Sequence, residues 1–271
     1  MKDQNEKCED FAALHQQKDA FIIPNPWDAG SAKLLQGMGF KALATTSAGL
    51  AYTLGRGDGE ISLKEKLDHC EALAKATDIP VNADFENGFA DDPETVARNV
   101  LKVAATGVAG CSIEDYSRDS HTLYDFHLAV ERVQAAVEAV ASLDITFQLT
   151  ARAENLLRGV DDIHDTIARL QAFEAVGAQV LYAPGVRTLG QLRQVTSAVS
   201  APFNVLSVFF PDASLADFSE AGAQRVSVGG GLNYAAIAPV LLAGKEMLEQ
   251  GTFNWSAGMV SGAEVQRLLK G

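Results

Sequence analysis

The chain is poor in cysteine, and this limits both its fold and its location. Its 271 residues include only Cys8, Cys70 and Cys111, and no two of them stand at the CxxC spacing. Three cysteines in a chain of this length form no disulfide framework. We therefore expect a protein of the reducing cytoplasm.

Long apolar runs and an excess of basic residues are also missing. No uninterrupted apolar stretch reaches the ~18 residues of a membrane span, and residues 1–7 are polar, unlike a signal peptide. Lys and Arg number 22 against 35 Asp and Glu, a net charge of −13. We therefore expect neither nucleic acid nor an anionic membrane as a partner, because both need a basic face. Small anionic substrates are still compatible with this net charge if a metal ion or an arginine makes the local potential positive.

Strand and helix patterns alternate along the whole chain, which is 47% hydrophobic and long enough for a large core. Short apolar runs predict strands over residues 21–26, 41–47, 80–86, 110–115, 146–154, 179–185, 202–207 and 225–230. Amphipathic patterns predict helices over 29–38, 63–77, 93–105, 126–142, 162–176, 189–199, 215–221 and 234–250. These units predict a single α/β domain, residues 1–271, folded as a (β/α)₈ TIM barrel. A doubly wound sheet is the alternative, but it would bind its ligand at one switch point.

Two further patterns concern the helix ends and the C-terminus. Glycines suited to a left-handed C-cap follow several of the predicted helices: Gly39, Gly107, Gly177 and Gly222. The segment 253–271 then carries Trp255, Met259 and Val260, among other apolar residues. A short helix with that much apolar surface is expected to pack on its own barrel or on a partner chain, so we predict an oligomerisation tail.

Acidic residues follow three consecutive strand patterns. Asp84 and Glu86 stand two residues apart and point to one side of a strand. Asp58 and Glu114 follow the neighbouring strand patterns, and a barrel gathers all such positions around one mouth. Each acid alone is explained as well by a helix N-cap or a solvated loop residue. Together the four predict one site for Mg²⁺ or Mn²⁺, since hard cations bind carboxylate oxygens.

Two other patterns indicate a bound anion. Residues 45–50, Thr-Thr-Ser-Ala-Gly-Leu, are small enough for backbone N–H groups to approach a carboxylate, although such a run is more often only a turn. Arg152 lies near the end of the fifth strand pattern, where it could clamp an anionic substrate or form a salt bridge with Glu154 or another carboxylate of the mouth. The glycines at 229–231 lack the lysine of a P-loop and are interpreted as packing or turn residues.

Taken together, these motifs resemble the isocitrate lyase and phosphoenolpyruvate mutase superfamily over nearly the whole chain. The matching segments are residues 24–28 (Pro-Asn-Pro-Trp-Asp), 46–50, 55–58, 84–89 (Asp-Phe-Glu-Asn-Gly-Phe), 113–115, 150–152 and 226–230. The resemblance implies a (β/α)₈ barrel, usually a homotetramer with its eighth helix swapped between subunits, that binds Mg²⁺ and a 2-oxo or enol acid.

The resemblance also implies a role for each matching residue. Asp84 would bind the metal directly, and three acids would hold its water ligands: Asp58, Glu86 and Glu114. Ser47, Ala48 and Gly49 would bind the substrate carboxylate. Arg152 would bind the oxo or enolate oxygen.

The chain departs from the family's pattern in the loop after the fourth strand, residues 116–125. The lyase motif Lys-x-Cys-Gly-His and the phosphonomutase motif Lys-Thr-Asn-Ser are both absent there. Cys111 lies within the strand, as a buried hydrophobe would. Arg118 and His121 are the remaining loop candidates. Pro184 or Gly185 stands where citrate-type lyases carry a glutamate, which argues against a tricarboxylate substrate.

The shared chemistry of the superfamily is stabilisation of an enolate when the bond beyond C3 of a 2-oxo acid breaks. Of these reactions, decarboxylation depends least on the altered loop, because carbon dioxide leaves without a general base. We therefore expect a lyase that cleaves a C–C bond, with Arg152, Glu114 and His121 as catalytic residues. Two alternatives stay open: P–C bond chemistry on a phosphonate, and a protein that binds a 2-oxo acid without turnover.

Overall fold

The structure, a computed structural model, describes residues 2–270, so Met1 and Gly271 of the predicted domain lie outside the described residues. Within that range, eight parallel strands form a nearly closed barrel, which confirms the predicted (β/α)₈ fold. The barrel strands are β1 (Phe21–Ile23), β2 (Leu43–Ala44), β3 (Val81–Asp84), β4 (Gly110–Glu114), β7 (Gln148–Arg152), β8 (Val180–Tyr182), β9 (Phe203–Leu206) and β10 (Arg225–Ser227). A small antiparallel hairpin, β5 (Tyr116–Ser117) and β6 (Thr122–Leu123), follows β4.

The strand order places all the strand ends at one mouth. Neighbours run β1-β10-β9-β8-β7-β4-β3-β2, and every pairing between them is parallel. The two ends of this order are joined by a hydrogen bond of 3.0 Å from the Ala44 N–H to the Pro24 carbonyl. Residues that follow different strands therefore meet around one opening, as in other barrels.

The helices surround the barrel and begin mostly at side-chain caps such as Asp92 and Asp162. They are α1 (Gln4–His15), α2 (Ala29–Gly37), α3 (Ser47–Thr53), α4 (Leu63–Ala76), α5 (Pro93–Ala104), α6 (Phe126–Ala141), α7 (Ile163–Ala175), α8 (Leu189–Thr196), α9 (Leu215–Glu220), α10 (Gly231–Gln250) and α11 (Gly262–Leu269). Two short 3₁₀ turns cover Ser207–Phe209 and Asn254–Gly258. The four predicted C-cap glycines all have positive φ, between 88° and 101°.

Two of these helices were not expected from the sequence. α1 packs Phe11 and Cys8 against Phe21, Ala42 and Ala109, which stand at or just before the first residues of strands, so it covers the barrel's amino end. α3 replaces the end of the strand predicted over 41–47, because the Thr46 side chain accepts the Gly49 N–H and starts a helix there.

The C-terminal elements pack unevenly. In α10 only Asn233 is buried among the described side chains, and Val240, Leu241 and Leu248 are at least 68% exposed. α11 instead packs on α2, where a Cβ on Gly37 would overlap the Leu268 carbonyl. Part of the tail therefore contacts its own barrel. Among residues 2–270, no helix has the length and apolar character needed to cross a membrane.

Candidate active site

The four predicted metal-site acids lie around the barrel mouth. Asp84 and Glu114 are the last residues of β3 and β4. Glu86 follows two residues after β3 with a φ of 51°, a region that residues other than glycine seldom occupy. Asp58 lies in the loop between α3 and α4. Glu86 and Glu114 are at most 3% exposed, whereas Asp58 is exposed.

Arg152, the last residue of β7, links these acids. Its Nη1 donates to Asp84 Oδ1 at 2.8 Å, and its Nη2 and Nε donate to Glu154 Oε1 at 2.6 and 3.1 Å. Nη2 also lies 3.2 Å from Glu114 Oε2, and the guanidinium carbon lies 5.0 Å from the Tyr182 ring centroid. The expected salt bridge with Glu154 and the expected position at the mouth are therefore both present.

Arg118 reaches the same acids from the loop between β5 and β6. Its Nε lies 2.9 Å from Glu86 Oε2 and 3.7 Å from Glu114 Oε1, and its Nη1 lies 3.6 Å from Asp58 Oδ1. His121, the other loop candidate, is exposed in the hairpin turn with a φ of 56°. In the described part of the chain its ring has no hydrogen bond or ion pair, so the structure joins only Arg118 to the acids.

Burial and neighbouring charges shift the pKa values of these acids in different directions. Burial raises the pKa of Glu114 to about 8, and the charge of Glu154 adds to the effect. Burial likewise raises the pKa of Glu86. It would raise the pKa of Asp84 as well, but Arg152, other nearby cations and a backbone N–H together hold that pKa below its ordinary value. Of these three acids, Asp84 is thus the one whose anionic form is best stabilised.

The oxygen atoms of this cluster suit a hard cation. The Oε1 atoms of Glu86 and Glu114 are buried and lack a hydrogen-bond partner among the described residues, and Glu114 Oε1 lies 3.6 Å from Arg158 Nη2 and 3.7 Å from Arg118 Nε. Within residues 2–270, no three or more His, Cys, Asp or Glu side chains are arranged to hold a metal. A largely hydrated Mg²⁺ binds few carboxylates directly and keeps several waters, so it does not need a group of three such side chains.

A cavity of about 160 Å³ adjoins the cluster, with Asp58, Asp84 and Arg152 in its lining. Ser47 and Ala48 line it too, at the start of α3, and the Ser47 N–H donates to Asp84 Oδ2 at 3.0 Å. Gly49 packs elsewhere, since a Cβ there would lie 2.8 Å from Trp27 Cβ. Of the three residues predicted to bind the substrate carboxylate, Ser47 and Ala48 therefore line the cavity and Gly49 does not.

The cavity extends down to Arg225 in the barrel interior. This guanidinium is 3% exposed and donates to Asn204 Oδ1 at 2.8 Å and to Thr150 Oγ1 at 3.0 Å. Its Nη1 lies 3.3 Å from His15 Nε2. Among the described residues no carboxylate pairs with Arg225, so neutral groups alone hold it in place.

The sequence analysis missed two other cations of the site. Lys66 on α4 is fully buried, its Nζ has no hydrogen-bond partner among the described residues, and its charge lowers the pKa of Asp84. Helical spacing could have revealed it, because Lys66 lies four residues before the buried Cys70. Arg158 pairs with Glu154 Oε2 at 3.0 Å and lies 3.8 Å from the Tyr116 ring centroid. Its position four residues after Glu154 was the available signal.

Comparisons with known proteins identify relatives of this chain. The family model described as phosphoenolpyruvate phosphomutase matches residues 11–248. An uncharacterized protein of Mycobacterium tuberculosis is 30% identical over 81% of each chain. An oxaloacetate decarboxylase of a Marinomonas species is 25% identical over 86% of this chain and 82% of its own. The crystal structure of a candidate lyase/mutase from Burkholderia cenocepacia superposes with a TM-score of 0.95 at 46% identity, covering 99% of this chain and 97% of the other.

The family model matches most of the barrel. This chain also covers most of the length of the relatives named above. All of the motifs that carried the resemblance, except residues 113–115, contribute to the lining of the cavity at the mouth of that barrel. The chain therefore belongs to the phosphoenolpyruvate phosphomutase family, within the isocitrate lyase and phosphoenolpyruvate mutase superfamily.

Proposed function

We propose that this protein is a Mg²⁺-dependent lyase that cleaves a C–C bond in a small 2-oxo acid. The observation that carries the proposal is the position of Arg152, which lines the cavity and donates to Asp84 at 2.8 Å. This arrangement sets a fixed hydrogen-bond donor beside the acid best suited to hold a cation. Such donors stabilise negative charge that develops during a reaction.

Asp84 is proposed as the direct ligand of Mg²⁺, or of Mn²⁺ in its place, with Asp58, Glu86 and Glu114 holding the metal's waters. The unpartnered oxygens of the two glutamates support this role. When bound, the metal supplies a Lewis acid for the carboxylate and 2-oxo oxygens of the substrate.

The other proposed roles belong to the cavity lining and the loop. Ser47 and Ala48 bind the substrate carboxylate, whereas Gly49 does not, because its N–H donates to Thr46 Oγ1 at 3.2 Å. Arg152 donates to the oxygen that becomes negative as the bond beyond C3 breaks. Glu114 and His121 are the proposed proton carriers, one buried with a raised pKa and one in the exposed loop.

The size of the cavity favours a compact substrate, and the loop sequence favours decarboxylation. Its ~160 Å³ is well below the ~300 Å³ at which sites for larger ligands begin. The loop lacks the cysteine that lyases use for proton transfer, and release of carbon dioxide does not need one. The Marinomonas relative is an oxaloacetate decarboxylase. Phosphonate P–C chemistry is the second candidate, because the matching family model is that of a phosphomutase.

A substrate panel tests the proposal. Oxaloacetate, 2-methylisocitrate and phosphonopyruvate are incubated with Mg²⁺ and the protein, and the products are identified by NMR. We expect Mg²⁺-dependent turnover of oxaloacetate in the wild type, its loss in Asp84→Asn, and its retention in Asp68→Asn, a control on the exposed face of α4. Turnover of phosphonopyruvate alone would favour the second candidate, and binding without turnover would make the protein a 2-oxo acid sensor.

We further propose a homotetramer that assembles through α10 and the 253–271 tail. The exposed apolar side chains of α10 support this assembly. The three cysteines are buried and unpaired among the described residues, which supports a cytoplasmic location.

A further inference from the structure

Arg118 stands where a hydrated metal ion would have to bind. Three acids lie within 3.7 Å of its guanidinium nitrogens, and all three belong to the proposed metal site: Asp58, Glu86 and Glu114. Arg152 holds the fourth, Asp84. The chain itself therefore supplies a cation to each predicted metal ligand.

The backbone is shaped to admit this guanidinium. Gly59 follows Asp58 directly and has a φ of 88°. A Cβ at Gly59 would overlap Arg118 Nη1. The side chain of Arg118 is only 20% exposed, so it is inserted among the acids and does not lie on the surface.

The segment that carries Arg118 is short. β5 and β6 contain two residues each, and Arg118 lies in the turn between them. Ser117 pairs with Thr122 in the hairpin, and its hydroxyl donates to Asp91 at 3.4 Å and accepts from the Ser120 N–H at 3.3 Å, whereas residues 119–121 are exposed. Movement of this turn would withdraw the guanidinium without disturbing a barrel strand.

We propose that Arg118 is an internal competitor of the divalent cation, so that metal binding expels its side chain and opens the β5–β6 turn. The inference rests on the proposed metal site. The water shell of a Mg²⁺ held on Asp84 would need the space among Asp58, Glu86 and Glu114 that the guanidinium of Arg118 fills, and the two cations repel. The turn therefore has two positions, set by which cation the acids hold.

Two measurements test this competition. Mn²⁺ binding to the EDTA-treated, dialysed protein is measured by calorimetry. Tryptic cleavage of the wild type after Arg118 is followed by mass spectrometry with and without saturating Mn²⁺. We expect Arg118→Gln to bind Mn²⁺ on the order of tenfold more tightly than the wild type, as removal of one charged competitor predicts. In the wild type, Mn²⁺ should speed cleavage after Arg118.

Two variants serve as controls. Lys66→Met removes a neighbouring charge without changing the loop, so it should tighten Mn²⁺ binding but leave the metal-free cleavage rate at Arg118 unchanged. Arg98→Gln, from an exposed pair with Glu94, should change neither quantity. The cleavage measurement uses the wild-type chain, so it does not depend on the folding of any variant.

The outcomes separate this inference from the proposed function. The competition would be overturned if the wild type and Arg118→Gln bound Mn²⁺ with equal affinity and the metal left cleavage unchanged or slowed it. The proposed metal site would not be affected by that result. Binding only in Arg118→Gln would support both. Failure of Mn²⁺ to bind any variant would overturn the metal site and the competition together.

Discussion

His15 is a buried imidazole that the fold keeps neutral, and this makes the barrel sensitive to acid. Its Nδ1 lies 2.8 Å from the Phe11 carbonyl and so carries the proton, while its Nε2 lies 3.3 Å from the guanidinium of Arg225. Burial, and then the charge of Arg225, lower the pKa of His15 to about 3. A second proton would place two cations in contact inside the barrel.

The size of the effect follows from linkage. The unfolded chain takes up the proton near pH 6.5, whereas the folded chain resists it down to about pH 3. The stabilisation is therefore complete above pH 6.5 and is lost as the pH falls towards 3. Each pH unit in that window costs about 1.4 kcal/mol, so His15 should lower the free energy of unfolding by about 2 kcal/mol at pH 5.

Urea unfolding at about pH 7.5 and about pH 5 measures this contribution, in the wild type and in His15→Gln, whose amide oxygen can still accept from Arg225. The difference in unfolding free energy between the two proteins should shift by about 2 kcal/mol in favour of the variant at the lower pH. His69, also buried with a lowered pKa, is present in both proteins and cancels. The exposed His127→Gln serves as the control. A difference that stays constant between the two pH values would refute the reasoning.

Three other changes test the site and the assembly. Arg152→Lys keeps the charge but cannot reach Asp84 and Glu154 together, so kcat for the best substrate should fall on the order of 10²-fold with a smaller rise in KM; an unchanged kcat would remove Arg152 from catalysis. Gly37→Leu should detach α11, because its Cβ overlaps the Leu268 carbonyl, and faster proteolysis of the tail would reveal this; unaltered protection would contradict the packing. Deleting residues 253–271 should lower the mass seen by light scattering, and an unchanged mass would confine the tail to its own subunit.

Much of the barrel could be predicted because its sequence signals are local. The strand runs and the capping glycines depend on patterns within about ten residues, and the structure confirms the (β/α)₈ arrangement they predict. α1 was missed because its apolar residues have almost no helical periodicity. Its capping box, Asp3 with Glu6, was the one usable signal. α3 was missed because a run of small residues is compatible with a turn as well as with a helix.

The site was harder to predict than the fold, because its contacts join residues far apart in the chain. Strand ends located the acids, but only the folded chain brings Arg118 to Glu86 and Lys66 close to Asp84. The loop sequence identified Arg118 and His121 as candidates, and the sequence analysis named His121, not Arg118, among the catalytic residues. No local pattern distinguishes an arginine that inserts among carboxylates from one that faces solvent, since the difference depends on the space left by Gly59.

Charge balance at the mouth explains how such an acidic chain can receive an anion. Around the mouth and its cavity lie five acids, Asp58, Asp84, Glu86, Glu114 and Glu154, and five bases, Lys66, Arg118, Arg152, Arg158 and Arg225. With every group ionised their charges sum to zero, although the whole chain carries −13. In the proposed exchange, replacing the guanidinium of Arg118 by a divalent cation adds one positive charge and brings the local sum to +1. The exchange therefore attracts an approaching carboxylate, and it frees Arg118 in the same step.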